Sequence, residues 1–302
     1  MWFKNLIIYK LPADWSWTAA ALEDQLSRRT LLPCGPYDMQ SRGWVPPGPH
    51  ERLTHTINRQ HLIALGVDEK LLPASIIRQE TLQRAKEIAQ EQGYPVGRRQ
   101  MRELKERVTE QLRARALTRR KITRAWIDPQ HGWFVVDAAG APRAEQLVET
   151  LRDTLGSFAA TPLETERSPQ MSMVAWLTVG DAPARFAIDQ DLELQAADKT
   201  KATVRYSRHP LETKEIQAHI HAGKYATRLG LTWADRVSLV LTDKLQLKRV
   251  QFLEMTKDSS DHDEQSAEEQ FDVDFALMSG EFAQLLADLE AALGVEQRRA
   301  AA

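Results

Sequence analysis

The sequence predicts an α+β protein made of several mixed α/β subdomains, with antiparallel sheets and a projecting helical arm. Three observations predict it. Strand-like and helix-like segments are mixed without a strict βαβ rhythm, runs rich in β-branched and aromatic residues are joined by short turns, and the period becomes helical after Pro73. No fixed-period repeat is visible, which argues against a solenoid.

Taken in order, FKNLIIYKL (3–11) reads as a strand and TAAALEDQLSRR (18–29) as a helix capped by Thr18. SRGWVPP and LTHTINRQHLIALGV follow as short strands between Pro and Gly breaks. SIIRQETLQRAKEIAQEQG is helical up to a stop at Gly93, residues 94–97 turn the chain, and a second helix carries the basic stretch 98–124. RAWID and GWFVVDA form a hairpin, and PRAEQLVETLRDTLG is a helix closed by Gly156. RFAIDQDLELQA and KATVRYSRH are strands, ETKEIQAHIHAG is a helix, and residues 225–254 are antiparallel strands turning at WAD and TDK. EFAQLLADLEAALG closes the pattern as an amphipathic helix. This organisation suggests an N-terminal α+β domain from 1–75 plus 125–157, a basic arm at 76–124 and a C-terminal α+β domain at 158–302. Trp2, Trp44, Trp126, Trp133 and Trp233 fall in strands or at their edges, where core packing is the default.

The 302 residues, 42% apolar and 27% charged, are those of an ordinary globular protein. The longest apolar runs, such as LIIY and VSLVL, are strand-sized and too short to span a bilayer. No secretory leader is expected at MWFKNLIIYKLP. The one cysteine, Cys34, suits a reducing cytoplasm, and a free cysteine is usually a small buried hydrophobe.

The net charge of −2 hides a strong asymmetry. Residues 98–124, RRQMRELKERVTEQLRARALTRRKITR, hold eleven Lys and Arg against three Glu. Residues 258–274 hold eight acids and no Lys or Arg. On a helix, Met101, Leu104, Val108 and Leu112 make one apolar stripe, while Glu103 reaches Arg107 and Glu110 reaches Arg113. The remaining cations repel one another, and an anionic polymer relieves that repulsion. Arg suits the task because its planar guanidinium meets phosphate oxygens bidentately. With no zinc-finger spacing and no RNP signature, the expected binding is sequence-tolerant and salt-sensitive, to duplex DNA and to single strands as a further candidate partner.

Catalytic motifs are sparse. No GxxxxGK[ST] loop is present, so ATP-driven chemistry has no visible basis. His50, His55 and His61 match no standard zinc spacing and read as solvated loop or strand histidines. His219 and His221, two apart on a helix, point in different directions. A metal-dependent nuclease needs converging carboxylates, for which Asp128, Asp137, Asp261, Asp263 and Glu264 are the candidates. A third alternative docks the basic helix on an acidic protein partner.

WFKNL at 2–6, PCGPYDMQSRGWVPP at 33–47, LTH at 53–55, KLLPASII at 70–77, WIDPQHGWFVVD at 126–137 and FDVDFALMSGEF at 271–282 resemble the recombination-associated RdgC family over nearly the whole length. The resemblance implies a nucleoid-associated bacterial protein that binds double-stranded DNA without strong sequence preference and restrains the RecA recombinase. It also implies a ring-shaped homodimer with a positively lined hole. A ring-closing contact of the family falls on Leu117, and a DNA-touching tip near 205–212 falls on Arg208 and His209. The resulting expectation is a non-enzymatic, cytoplasmic, nucleoid-associated DNA-binding protein without a cofactor. Its DNA contacts are Arg98, Arg99, Arg102, Arg113, Arg115, Arg119, Arg120, Lys121, Arg124, Arg208 and His209.

Overall fold

The computed structural model describes residues 2–183, 185–253 and 266–294. In chain order the elements are β1 (Leu6–Lys10), α1 (Ala19–Ser27), β2 (Gln40–Val45), β3 (Thr54–Ile57), β4 (Gln60–Lys70), α2 (Ala74–Gln92), α3 (Arg98–Arg115), β5 (Thr118–Asp128), β6 (Trp133–Asp137) and α4 (Ala141–Leu155). Then follow β7 (Thr161–Pro162), α5 (Pro169–Val179), β8 (Phe186–Ala196), β9 (Thr203–Tyr206), α6 (Thr213–His221), β10 (Lys224–Trp233), β11 (Val237–Thr242), β12 (Gln246–Phe252) and α7 (Ala267–Leu293). The protein is therefore mixed α and β, with antiparallel strand pairing throughout its ladders.

The chain divides into two compact units, one of residues 1–23, 46–63 and 123–302, the other of 24–45 and 64–122. In the first unit the strands run β6-β1-β12-β11-β10-β8-β9, with β7 on β1 and residues 125–128 of β5 on β6. The β3–β4 hairpin turns at Asn58 and Arg59, both at positive φ (51° and 63°), as a two-residue turn between twisted strands requires. Trp126, Trp133 and Trp233 are buried in the core of this unit, as their strand positions predict. Trp44 is equally buried on β2 in the other unit. The core of the first unit is closed by α7, whose Phe271, Phe275, Met278, Phe282, Leu285, Leu286 and Leu289 are all buried.

The second unit has the order β2-β4-β5 and a hairpin of two helices. The α2–α3 pair packs through a small cluster, Ala85 with Leu104 and Val108, flanked by Ile88, Val96, Met101 and Leu112. That is the stripe its spacing predicts. Gly93 ends α2 at φ 78°, a left-handed position that a Cβ would disfavour.

Local signals decide most boundaries. The Thr18 hydroxyl accepts from the Ala21 N–H at 3.3 Å, so it caps α1. Gly156 closes α4 at φ 74°. The turns after β10 and β11 fall at WAD and TDK as expected. Three features depart from expectation. The basic stretch is not helical to its end, because the chain is already extended at Ala116 (φ −64°, ψ 138°) and Thr118–Asp128 is strand. Its β-branched Thr118, Ile122 and Thr123 favour that strand. The last helix begins at Ala267, where Ser266 and Glu269 form a reciprocal capping box, so the acids at 268–274 lie inside a helix. The α5 helix is an addition to the expected elements; it is apolar on several sides, shows no one-sided stripe, and lies against β10, β11 and α6.

Candidate nucleic-acid interface

In the second unit α3 carries seven Lys and Arg against three Glu. Leu104 and Val108 hold one face inward, which turns the cations outward. The Arg99 and Arg102 side chains are 95% and 83% exposed, and Arg98 and Arg115 are exposed as well. The ion pairs along the helix are Arg99–Glu103 at 3.1 Å and Arg102–Glu106 at 3.2 Å, rather than the expected Glu103–Arg107 and Glu110–Arg113. Exposed pairs of this kind are worth well under about 1 kcal/mol, so they exchange readily for a phosphate. Arg113 is half-buried and donates to the Tyr37 carbonyl at 3.3 Å.

The predicted contacts on β5 have different surroundings. Arg120 grips Asp68 through two hydrogen bonds of 2.8 and 2.9 Å. The donation from Arg120 holds the Asp68 carboxyl below the usual carboxylate range. Lys121 pairs with Glu69 at 2.5 Å, and Arg119 stands 3.9 Å from the same carboxylate. In the first unit, half-buried Arg124 donates to the Pro47 carbonyl at 2.7 Å, and burial lowers its pKa while the nearby Asp137 opposes the change. Leu117 is 78% exposed, an apolar side chain left to solvent at the end of the basic helix.

The segment expected to form a DNA-touching tip is the loop after β9 in the first unit. Arg208 occupies a left-handed backbone position (φ 52°), held where its N–H donates to Asp191 Oδ1 at 3.1 Å. That conformation is uncommon outside glycine and asparagine, and here it leaves the Arg208 side chain exposed. His209 is exposed, with its Nδ1 2.8 Å from the Pro210 carbonyl oxygen.

Beside this loop, strand pairing collects cations that sequence reasoning missed. Arg205 faces Glu193 across β9 and β8, and Glu193 faces Arg228 across β8 and β10. Lys248 and Arg249 of β12 line the same small pocket as Arg205 and Arg228. The acids Asp191 and Glu193 are each engaged, Asp191 with Arg249 at 3.0 Å and Glu193 with Arg205 and Arg228. Burial and the neighbouring Arg228 push the Lys248 pKa down. No run in the sequence announces this group, because its members come from three strands separated by tens of residues.

Two of the nuclease candidates, Asp128 and Asp137, make contacts within the fold. Asp128 is fully buried and accepts from the Gln130 and His131 N–H groups, the Gln60 amide and the His131 ring. Asp137 accepts from the Lys4 and Asn5 N–H groups at 3.2 and 3.0 Å, and burial raises its pKa. Asp261, Asp263 and Glu264 lie outside the described residues. The histidine expectation is corrected, since His55 and His61 are buried and burial lowers both pKa values. Cys34, expected as a buried hydrophobe, is only half-buried.

A family model described as "Putative exonuclease, RdgC" matches residues 1–296. Curated relatives named recombination-associated protein RdgC include one from Dechloromonas aromatica (strain RCB), 48% identical over 299 residues that span 98% of each chain. Another from Herminiimonas arsenicoxydans is 46% identical over 99% of this chain and 100% of the relative. A third, from Janthinobacterium sp. (strain Marseille), is 45% identical over 98% and 99%. With a whole-length family match and relatives this similar, the chain belongs to the RdgC family of recombination-associated proteins.

Proposed function

We propose that the protein binds duplex DNA without strong sequence preference, closes around it as a ring-shaped homodimer, and restrains RecA-dependent recombination by occupying the DNA. The observation that carries this reading is the outward cationic face of α3, where Arg98, Arg99 and Arg102 stand in solvent with only exposed Glu partners. Guanidinium groups displayed this way neutralise phosphates and release counterions, a contact that reads charge and not base identity. Exposed Leu117 supports a role in dimer closure, and Arg208 with His209 supports a DNA-touching tip. Arg113, Arg115, Arg119, Arg120, Lys121 and Arg124 complete the proposed contact set. Of these, Arg120 and Lys121 must exchange an intramolecular carboxylate for phosphate. The name shared by the relatives supports a role in recombination, and no membrane-spanning helix stands among the described residues.

The proposed action is occupancy and not cleavage, a reading supported by Asp128, which accepts from two backbone N–H groups and the His131 ring, and by Asp137, whose Oδ1 accepts from two backbone N–H groups. The test compares binding to a relaxed circular duplex and to the same duplex cut linear, across a salt series. Steeply salt-sensitive binding, with circles retaining protein through a high-salt wash better than linear DNA, supports phosphate neutralisation with encirclement. Absence of binding to both forms overturns it.

A further inference from the structure

We propose that His50, His55 and Asp272 form a binding site for a divalent transition-metal ion of the zinc class. The three residues come from the segment before β3, from β3 itself and from the second turn of α7, all in the first unit. His50 Nε2 lies 3.0 Å from Asp272 Oδ1, and His55 Nε2 lies 3.4 Å from that same oxygen. One ligand atom from each of the three lies within 4.8 Å of the others. Bonds of about 2.0–2.2 Å to a shared tetrahedral ion separate its ligand atoms by roughly 3.3–3.5 Å. The two imidazole-to-carboxylate separations are therefore already close to those a bound ion sets.

A second observation points to a missing partner. His55 is only 9% exposed, and its Nε2 is fully buried without a hydrogen bond. Buried polar atoms are almost always satisfied, and an exception calls for a role such as ligation. The rings are also held in place. His50 and His55 stack at 5.1 Å and 10°, and Phe271 and Phe275 set their edges against His55 at 5.0 and 5.3 Å. Two imidazoles fixed by packing and turned toward one carboxylate are an arrangement prepared before any ion arrives.

The donor set selects the ion. Two imidazole nitrogens and one carboxylate oxygen suit zinc, cobalt or manganese, whereas magnesium and calcium favour oxygen ligands. Three protein ligands leave a coordination position open, and the cluster faces a cavity of about 990 Å³ that Glu23, Glu51 and Arg52 also line. Glu268, one helical turn before Asp272, places its Oε2 3.8 Å from His50 Nδ1, on the side of the ring away from the proposed ion. Drawn into hydrogen-bond distance when an ion binds, an outer carboxylate there would orient the imidazole and raise its basicity as a ligand. None of these residues belongs to the proposed DNA-contact set, so the site stands or falls independently of it.

The experiment uses the full chain without a histidine tag, stripped by chelator. Zinc uptake is followed by calorimetry and cobalt uptake by its visible d–d bands, in the wild type and in His50→Ala, Asp272→Asn and Glu268→Gln. His50 and Asp272 are partly exposed, so their variants are expected to fold, and circular dichroism checks this. The expected result is one ion per chain, cobalt bands of low coordination number, abolition of both in His50→Ala and Asp272→Asn, and roughly 10–100-fold weaker binding in Glu268→Gln. Lack of stoichiometric uptake by the wild type overturns the proposal, and so does uptake that survives unchanged in folded His50→Ala and Asp272→Asn; either result leaves the cluster as an ion pair within the fold.

Discussion

Helices α3 and α7 are built on opposite principles. The α7 helix has seven acids and no Lys or Arg, a capping box at Ser266, and Glu268 and Glu269 in its first turn, where the helix dipole favours negative charge. Its other face buries a row of Phe, Met and Leu against the core of the first unit. The α3 helix starts after Gly97 without a side-chain cap, opens with Arg98 and Arg99 at the end where the dipole disfavours cations, and buries only Leu104 and Val108. Stability accounts for nearly every choice in α7. In α3 several choices work against the isolated helix, and they become favourable when an anion is supplied from outside. Charge that a fold does not need is the better guide to an interface.

The contrast meets its most severe test at α7. Phe282 is fully buried beside Phe3, Trp126 and Phe252, so Phe282→Ala is expected to cost about 3–5 kcal/mol in chemical denaturation. A cost below about 1 kcal/mol would mean that this helix is not what closes the core. Combined Arg98→Ala, Arg99→Ala and Arg102→Ala should leave stability within about 0.5 kcal/mol while removing roughly three phosphate-binding groups. If about six phosphates are engaged per dimer, the wild-type slope of log affinity against log salt should be near −5, and the triple variant should flatten it by roughly 0.9 for each phosphate it no longer neutralises. A slope unchanged by the triple variant would remove α3 from the interface.

A smaller effect concerns the Arg120–Asp68 pair. The folded pKa of Asp68 is depressed below its unfolded value, so its contribution is complete above about pH 4 and disappears as pH falls through the folded value. Asp68→Asn should cost about 1 kcal/mol at neutral pH, discounted because Arg120 is more than half exposed, and should make acid unfolding less steep. An acid limb identical to wild type would show the pair contributes nothing. The smallest change in stability is expected at Leu117, where Leu117→Glu should stay within about 0.5 kcal/mol yet weaken self-association in sedimentation experiments. Unaltered self-association would place the dimer interface elsewhere.

Much of the fold is legible in the sequence because the deciding interactions are local. Thr18 as a cap, Gly93 and Gly156 as stops, the Trp126–Trp133 hairpin and the Met101–Leu112 stripe all depend on residues within a turn or two of one another. Misreadings arise where a local signal is masked. Dense Arg obscures the strand alternation after Ala116, and dense acid makes the start of α7 look like loop. The α5 helix is apolar on several sides and offers no period to read.

Sequence alone determined the secondary-structure stops, the two opposed charge fields and the inward stripe that turns the α3 cations outward, since each follows from spacing along one segment. Only the tertiary structure decided which cations are held by a buried carboxylate, such as Arg120 by Asp68, and which pair only with an exposed one, such as Arg99 with Glu103. It also decided that Arg205, Arg228, Lys248 and Arg249 share one pocket, and that His50 and His55 meet Asp272 more than 200 residues away. The physical reason is the same in each case. Electrostatics and ligation act over a few ångströms in space, and separation along the chain carries no information about that distance once strands pair and a distant helix closes over them.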